Sequence, residues 1–345
     1  MVQLPADQFL VQAGTHPVLD VRSPSEYAHA HIPGAVNLPL LSDEERKIIG
    51  TIYFQEGREV AIRRGLDFFG VKMGAMAEIV RATVKSDTLL IHCWRGGMRS
   101  STVAWLMETS GYRVFTLRGG YKAYRNLVLQ AFTQPYQLLI LGGFTGSGKT
   151  DLLRDWENAG GTMIDLENIA CHRGSAFGAG PGMVQPGQEM FENLLAEALW
   201  KASGTAPIWL EDESQSIGKM ILPPAFWQQM RNAPVLFLDI PFEERLDYLE
   251  RTYGSLGREW ISVGMDRVRK RLGGTQTKQA LDFLATGNLR ECFRILLRYY
   301  DGYYGKSIQA RKRAGILINT CCCGHSDTVR ILRMMAEAPT IPQTS

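Results

Sequence analysis

Ile91-His92-Cys93-Trp94-Arg95-Gly96-Gly97-Met98-Arg99-Ser100 changes character at its cysteine. The apolar run Thr88-Leu89-Leu90 leads into it, and Ser101-Thr102-Val103-Ala104-Trp105-Leu106, which reads as a helix, leads out. Cys93 therefore stands where a buried strand ends and a helix begins. A loop in that place points several backbone N–H groups at one spot, and the helix N-terminus adds partial positive charge, so the site suits an anion. A lone cysteine at a strand end is more often a structural, buried one. Two glycines and two arginines in the residues after Cys93 reverse that preference.

Working outward, Pro17-Val18-Leu19-Asp20-Val21-Arg22 is a short apolar strand ending in charge. Ser23-Pro24-Ser25-Glu26-Tyr27 reads as a helix start with Pro just inside it. His31-Ile32-Pro33-Gly34-Ala35-Val36-Asn37-Leu38 is a turn running into another strand, and Arg113–Leu117 followed by Gly119-Gly120-Tyr121 supplies a last strand and turn. Strands alternating with helices predict a parallel α/β sheet with its site at the strand C-termini. Residues 42–85 form a long insertion with helical apolar spacing (Ile48, Ile49, Ile52; Val60, Ile62; Leu66, Phe69), for which packing is the default role.

Asp20-Val21-Arg22, His31-Ile32-Pro33-Gly34-Ala35 and the Cys93 loop together resemble the rhodanese domain over roughly residues 5–130. The resemblance implies that Cys93 is a nucleophile carrying a chalcogen, held by the loop of Trp94, Arg95, Gly96, Gly97, Met98 and Arg99. A rival reading stays open at this point. His92-Cys93, Gly96, Arg99 and Ser100 also fit the tyrosine-phosphatase signature, in which Arg99 would clamp two phosphate oxygens.

Tyr136–Leu141 is a second buried strand, and Gly143-Phe144-Thr145-Gly146-Ser147-Gly148-Lys149-Thr150 follows it, leading into an amphipathic helix from Leu152. This is a P-loop in its strand–loop–helix context. Backbone N–H groups of Gly143, Thr145, Gly146, Ser147 and Gly148 would close on a phosphate chain, Lys149 would reach the outer phosphates and Thr150 would contact Mg²⁺. Met163-Ile164-Asp165-Leu166 reads as a strand, and the glycine-rich segment after it, with His172, Arg173 and Ser175, as a substrate loop or lid. Ile208–Leu210 ends in Glu211-Asp212-Glu213 like a Walker B strand, making Glu211 and Asp212 the candidate Mg²⁺-linked acids. Val235–Ile240 is a further strand. The order is that of a second doubly wound domain, similar to the nucleotide-kinase branch of P-loop folds.

Charge is unevenly spread. Residues 151–257 hold 7 Lys/Arg against 16 Asp/Glu, and residues 258–313 hold 13 against 5. The basic part reads as helices, with Arg267, Arg269, Lys270 and Arg271 as candidate RNA contacts beside Tyr299 and Tyr300; a solvated face offsetting the acidic part is the equal alternative. Cys321-Cys322-Cys323 with His325 invites a metal reading, but adjacent cysteines do not easily converge on one tetrahedral ion, and they are placed after a strand at 315–318. No apolar run approaches the roughly 20 residues of a membrane span. The N-terminus lacks the regions of a signal peptide, and six cysteines without framework spacing fit a reduced, cytoplasmic protein.

The expected architecture is thus α/β throughout. A rhodanese-like domain spans 1–134, with its helical insertion at 42–85. A P-loop domain spans 135–345, with a basic helical part at 258–313. Taken together with Gly119-Gly120-Tyr121-Lys122-Ala123-Tyr124-Arg125, His172-Arg173-Gly174-Ser175 and Glu211-Asp212-Glu213-Ser214, the two loops closely resemble the tRNA 2-selenouridine synthase family over about residues 10–310. That resemblance implies conversion of wobble 2-thiouridine to 2-selenouridine in lysine, glutamate and glutamine tRNAs. The sulfur is first geranylated by geranyl diphosphate, and selenium from selenophosphate, supplied by a selenophosphate synthetase, then replaces it. It implies no tightly bound cofactor and no certain metal, Mg²⁺ being compatible, and a monomer without membrane attachment. The alternatives are a cysteine phosphatase or sulfurtransferase fused to a small-molecule kinase, and a non-enzymatic tRNA-binding or sulfur-relay adaptor.

Overall fold

The computed structural model describes residues 2–338 except 174–177, 179–181, 203, 205–206, 255–256, 314 and 323; within helices and strands, the side chains of 303–308, 310, 317–319 and 326 are also outside the description. Two compact units emerge, residues 1–131 with 192–197, and the remainder.

The first unit is built on a parallel five-stranded sheet in the order β1-β5-β4-β2-β3, formed by β1 (Val2–Leu4), β2 (Val18–Asp20), β3 (Val36–Asn37), β4 (Thr88–His92) and β5 (Arg113–Leu117). The edge strand β1 is not visible as a pattern in the sequence; its three residues pair with Phe115–Leu117. β4 is central and wholly buried, as its unbroken apolar run requires. The helices are α1 (Ala6–Ala13), α2 (Pro24–His29), α3 (Asp43–Gln55), α4 (Arg58–Gly70), α5 (Met73–Thr83), α6 (Met98–Thr109) and α7 (Gly120–Ala131). Ser42 and Glu45 close a capping box at the start of α3, so the insertion begins on a local sequence signal. The insertion packs as expected: Phe69, Met76 and Val80 join Leu89, Ile91, Val103 and Met107 in one core. The Gly119-Gly120 turn opens α7 directly, so that Gly120 is already helical.

The second unit holds a parallel sheet in the order β11-β10-β6-β7, made of β6 (Leu138–Gly143), β7 (Ile208–Glu211), β10 (Val235–Asp239) and β11 (Leu317–Cys322), with a small hairpin of β8 (Ser216–Ile217) and β9 (Met220–Ile221). β6 lies between β10 and β7, so the loop after it leaves from the middle of the sheet. α8 (Lys149–Asn158) starts three residues before the position read from the sequence. The strand expected at 163–166 is reduced to a single bridge, Met163 with Trp209. Asp165 there caps a short helix, α9 (Leu166–Ile169), by accepting from Asn168 N. α10 (Gln188–Ala202), whose residues 192–197 count with the first unit, α11 (Pro224–Asn232) and α12 (Phe242–Tyr253) follow, and α13 (Arg258–Leu272), α14 (Gly274–Ala285) and α15 (Leu289–Arg313) make the expected helical part. Leu246, Met265, Leu272, Leu284 and Leu297 seal α12 to α15 into their own core. After β11 comes α16 (Thr328–Ala336). Among the described residues no helix is long and apolar enough to cross a membrane.

Candidate functional site

Cys93 follows the last residue of β4 and is 3% exposed. Ser100, in the first turns of α6, donates its hydroxyl to Gly97 O at 2.9 Å and leaves its oxygen 3.3 Å from Cys93 Sγ. The loop between is pinned to the start of α7. Tyr121 N donates to Cys93 O at 2.8 Å, and Lys122 N to Trp94 O at 3.0 Å. Gly96 and Gly120 both have positive φ, and a side-chain carbon on Gly120 would stand 2.4 Å from Gly96 N, while one on Gly96 would stand 2.5 Å from Leu117 O. Only glycine fits at either place. Trp94 and Met98 are exposed at the mouth, as is Arg95.

Beneath the loop lies a buried polar layer. Asp20 takes Arg22 through both oxygens, the Arg22 guanidinium stands 3.9 Å from the centre of the Tyr121 ring, and its Nη2 donates to Ala30 O at 2.8 Å. His92 is fully buried. Desolvation pushes it down to about 4, against the opposing pull of Asp20, so it is neutral near pH 7 although Asp20 Oδ2 is 3.7 Å away.

Arg99 departs from the role given it by the sequence. It lies within α6, and its Nη1 donates to Glu26 Oε2 at 2.8 Å; Arg46 reaches the same oxygen at 2.9 Å. Burial alone would raise Glu26, but Arg99, Ser23 N–H and Arg46 together hold it below the usual carboxylate range. Arg99 is therefore turned to α2 as a strut for the loop, not to the anion position as a clamp.

In the second unit, Gly143 ends β6, and Thr145, Gly146 and Ser147 form the loop. Gly148 adopts a left-handed conformation as the N-cap of α8, and Lys149 and Thr150 open that helix. Lys149 Nζ rests on Gly143 O at 3.3 Å. Arg245, 4% exposed, braces the loop from below. It donates to Thr145 O at 3.2 Å while Asp301 takes its two terminal nitrogens at 2.8 Å each. His325, from beyond β11, donates Nε2–H to Gly146 O at 3.0 Å and stacks on Tyr248, whose hydroxyl reaches Asp151.

The register of β6 with β7 sets Glu211 beside Leu141, and its Oε1 accepts from Thr150 Oγ1 at 2.5 Å. Side chains of an extended chain alternate, so Asp212 points away. It is held by Arg311 and lies 3.8 Å from Arg231, which removes it from the candidate Mg²⁺ acids. Its place is taken by Glu213 and by Glu167 of α9. The carboxylates of Glu167, Glu211 and Glu213 all come within 4.8 Å of one another. Burial and then mutual repulsion push Glu167 up to about 9 and Glu213 up to about 8, and burial raises Glu211 as well. Three acids next to a phosphate cradle are mutually repulsive unless a proton or a cation joins them. Hard oxygen donors with the Thr150 hydroxyl suit Mg²⁺.

A cavity of about 1150 Å³ opens from this loop. His172 and Arg173 line it, as the substrate-loop reading expected; Ser175 lies outside the described residues. Arg267, Lys270 and Arg271 line it too, whereas Arg269 is exposed elsewhere on α13. The rest of the basic part is partly internal compensation: Arg290 pairs with Glu243, Asp247 and Glu250, and Arg294 with Glu243. Cys321 and Cys322 sit within β11, not after it, with opposite burial. Cys321 is in the core and Cys322 is exposed beside Asp239, so the two do not share an ion; Cys323 is outside the described residues.

The sequence missed Glu167 and the roles of Arg245, His325 and Glu213 around the P-loop. The last had a signal, since alternation along a strand pairs 211 with 213. The others come from distant segments.

Comparison with known proteins gives two family matches. Residues 6–127 match the rhodanese-like domain, and residues 136–331 match the tRNA 2-selenouridine synthase AAA domain. A tRNA 2-selenouridine synthase of Shewanella pealeana is 34% identical over 347 residues, covering 90% of this chain and 93% of that one. One of Shewanella denitrificans is 34% identical, covering 86% and 89%. One of Nitrosomonas europaea is 39% identical over 246 residues, covering 69% of this chain and 63% of that one.

Proposed function

The chain belongs to the tRNA 2-selenouridine synthase family, and from that premise we propose that it converts wobble 2-thiouridine of tRNA to 2-selenouridine in two steps. What carries the reading is a single relative matched across both units. In the first step the P-loop holds geranyl diphosphate. The C1–O bond breaks with its electron pair going to diphosphate, the sulfur lone pair forms the S–C1 bond, and the base gives up its N3 proton. Lys149 and the loop N–H groups face the charge where it develops. Mg²⁺ held by Glu167, Glu211, Glu213 and Thr150 would neutralise the departing diphosphate.

In the second step the selenium of selenophosphate, seated in the Cys93 loop, attacks the base carbon: the C–Se bond forms, the C–S bond breaks, and the S-geranyl group departs as the leaving thiolate. Water then attacks phosphorus, the Se–P bond breaks with its electron pair on selenium, phosphate leaves, and selenium stays on the base. Burial of Cys93 and the fixed loop favour a preformed seat that holds the selenium nucleophile in place. The pairing of Arg99 with Glu26 counts against the phosphatase alternative, which needs that arginine on the substrate. Lysine, glutamate and glutamine tRNAs are the proposed substrates, the cytoplasm the proposed location, and Arg267, Lys270 and Arg271 candidate contacts for the RNA at the cavity rim.

The test is mass analysis of nucleosides from 2-thiouridine tRNA incubated with the chain and geranyl diphosphate, with and without selenophosphate. S-geranyl product in the first reaction and 2-selenouridine in the second are expected. Unchanged 2-thiouridine in both rejects the proposal, and release of phosphate from an aryl phosphate supports the phosphatase.

A further inference from the structure

The cavity beside the P-loop has an apolar side that a phosphate cradle does not explain. Leu249 of α12 packs against the loop itself, its Cγ 3.2 Å from where a side-chain carbon would stand on Gly146. Val268 of α13 and Phe293 and Leu296 of α15 continue the surface, with Tyr253 beside them. All four aliphatic and phenyl side chains belong to the core that joins α12 to α15, and this side of the cavity is the edge of that core. Val268 follows Arg267 and precedes Lys270 and Arg271, so one helix presents both hydrocarbon and cationic groups to the cavity.

The chemistry of this wall discriminates between ligands. A nucleoside on a diphosphate brings ring nitrogens and sugar hydroxyls that need partners. Leu249, Val268, Phe293 and Leu296 provide none, and unpaired polar groups are costly to bury. A hydrocarbon chain asks only for contact and for removal from water. Phosphate cradle, acid cluster and apolar wall in one cavity suit a diphosphate ester whose hydrocarbon tail lies on that wall, while Gln185, Ser214 and Ser216 on the same lining offer polar places for an acceptor. The volume, at the large end for small-ligand sites, leaves room for an acceptor base beside it.

We infer that Leu249, Val268, Phe293 and Leu296, with the Tyr253 ring, hold the hydrocarbon chain of the prenyl diphosphate and set the chain length the protein accepts. This rests on the prenyl transfer proposed above and adds to it the residues that read the chain.

Two substitutions on the full-length chain test it, with 2-thiouridine tRNA as acceptor and dimethylallyl, geranyl and farnesyl diphosphates as donors. Val268→Trp shortens the space. It should lower kcat/KM for the ten-carbon donor by about 100-fold and leave the five-carbon donor within about threefold. Inhibition by inorganic diphosphate should be unchanged, which reports an intact cradle. Leu296→Ala lengthens the space and should raise use of the fifteen-carbon donor relative to geranyl by about tenfold. Retention of the wild-type chain-length order by both variants overturns the inference while leaving prenyl transfer standing. ATP that competes far better than inorganic diphosphate places a nucleoside on this wall and overturns it too. Absence of transfer by the wild-type chain from every donor overturns the proposed function, and the inference with it.

Discussion

The Cys93 loop and the P-loop are built alike, but their polar groups are satisfied to different degrees. Each follows a buried parallel strand, turns on glycines and ends at a helix N-terminus. Around Cys93 the polar groups have found one another: Ser100 with Gly97, Arg99 with Glu26, Arg22 with Asp20. Around Lys149 the pairing is incomplete: Thr150 donates to Glu211, but Glu211 also faces Glu167 and Glu213. Three acids crowd together with raised pKa values, and the lysine rests on a carbonyl of its own loop. A site that only seats a small nucleophile is complete without it. A site that binds charge is unbalanced until ligand and cation arrive.

The sharpest way to break this contrast is Cys93→Ala. Selenation should fall to background while S-geranyl product persists, read by nucleoside mass; loss of both from a folded variant removes the division of labour. Next in size, Lys149→Ala should lower geranylation by roughly 100-fold or more, as loss of a group facing developing charge does. The same variant should still selenate tRNA that is already S-geranylated. Normal geranylation by it contradicts the assignment of the P-loop.

A third measurement concerns stability beneath the Cys93 loop. His92 is held at about 4, below the ordinary histidine value of about 6.5, so the unfolded chain takes up a proton that the folded one refuses. The stabilisation is complete above pH 6.5 and is lost as pH falls through the folded value, amounting to about 3 kcal/mol over that window. Denaturant titrations of the wild type against His92→Gln should show this slope in the wild type alone. Equal slopes in both mean that His92 is not the proton acceptor. The smallest effect is expected at Glu213→Gln. Relieving the repulsion should stabilise the ligand-free chain by ~1 kcal/mol or less and abolish any rise in Tm caused by Mg²⁺ with diphosphate. A Mg²⁺ response that survives places the cation elsewhere.

How legible each region was follows from how local it is. The Cys93 loop, its strand and its helix lie within one stretch, and the sequence placed them correctly. So did the P-loop, whose glycines and lysine are contiguous. What supports them is not contiguous. Glu167 was hidden just after a segment, 163–166, that reads as a strand, whereas Asp165 caps a short turn of helix there that carries Glu167. Arg245 and His325 reach the P-loop from α12 and from beyond β11, and no local pattern announces a contact made across a sheet. Asp212 was misplaced for a simpler reason: adjacent residues on an extended chain face opposite ways. Arg99 satisfied a spacing rule, yet Glu26, seventy-three positions earlier in the chain, claims its guanidinium.

Gly96 and Gly120 meet backbone to backbone, so the two turns behave as one part made of two pieces. Anyone grafting the cysteine loop onto another scaffold must carry residues 119–121 with it. A graft of residues 91–100 alone would meet a foreign side chain where Gly120 stands, and its cysteine would lose its seat. For the same reason neither turn is free to vary by itself: a change in one has to be answered in the other.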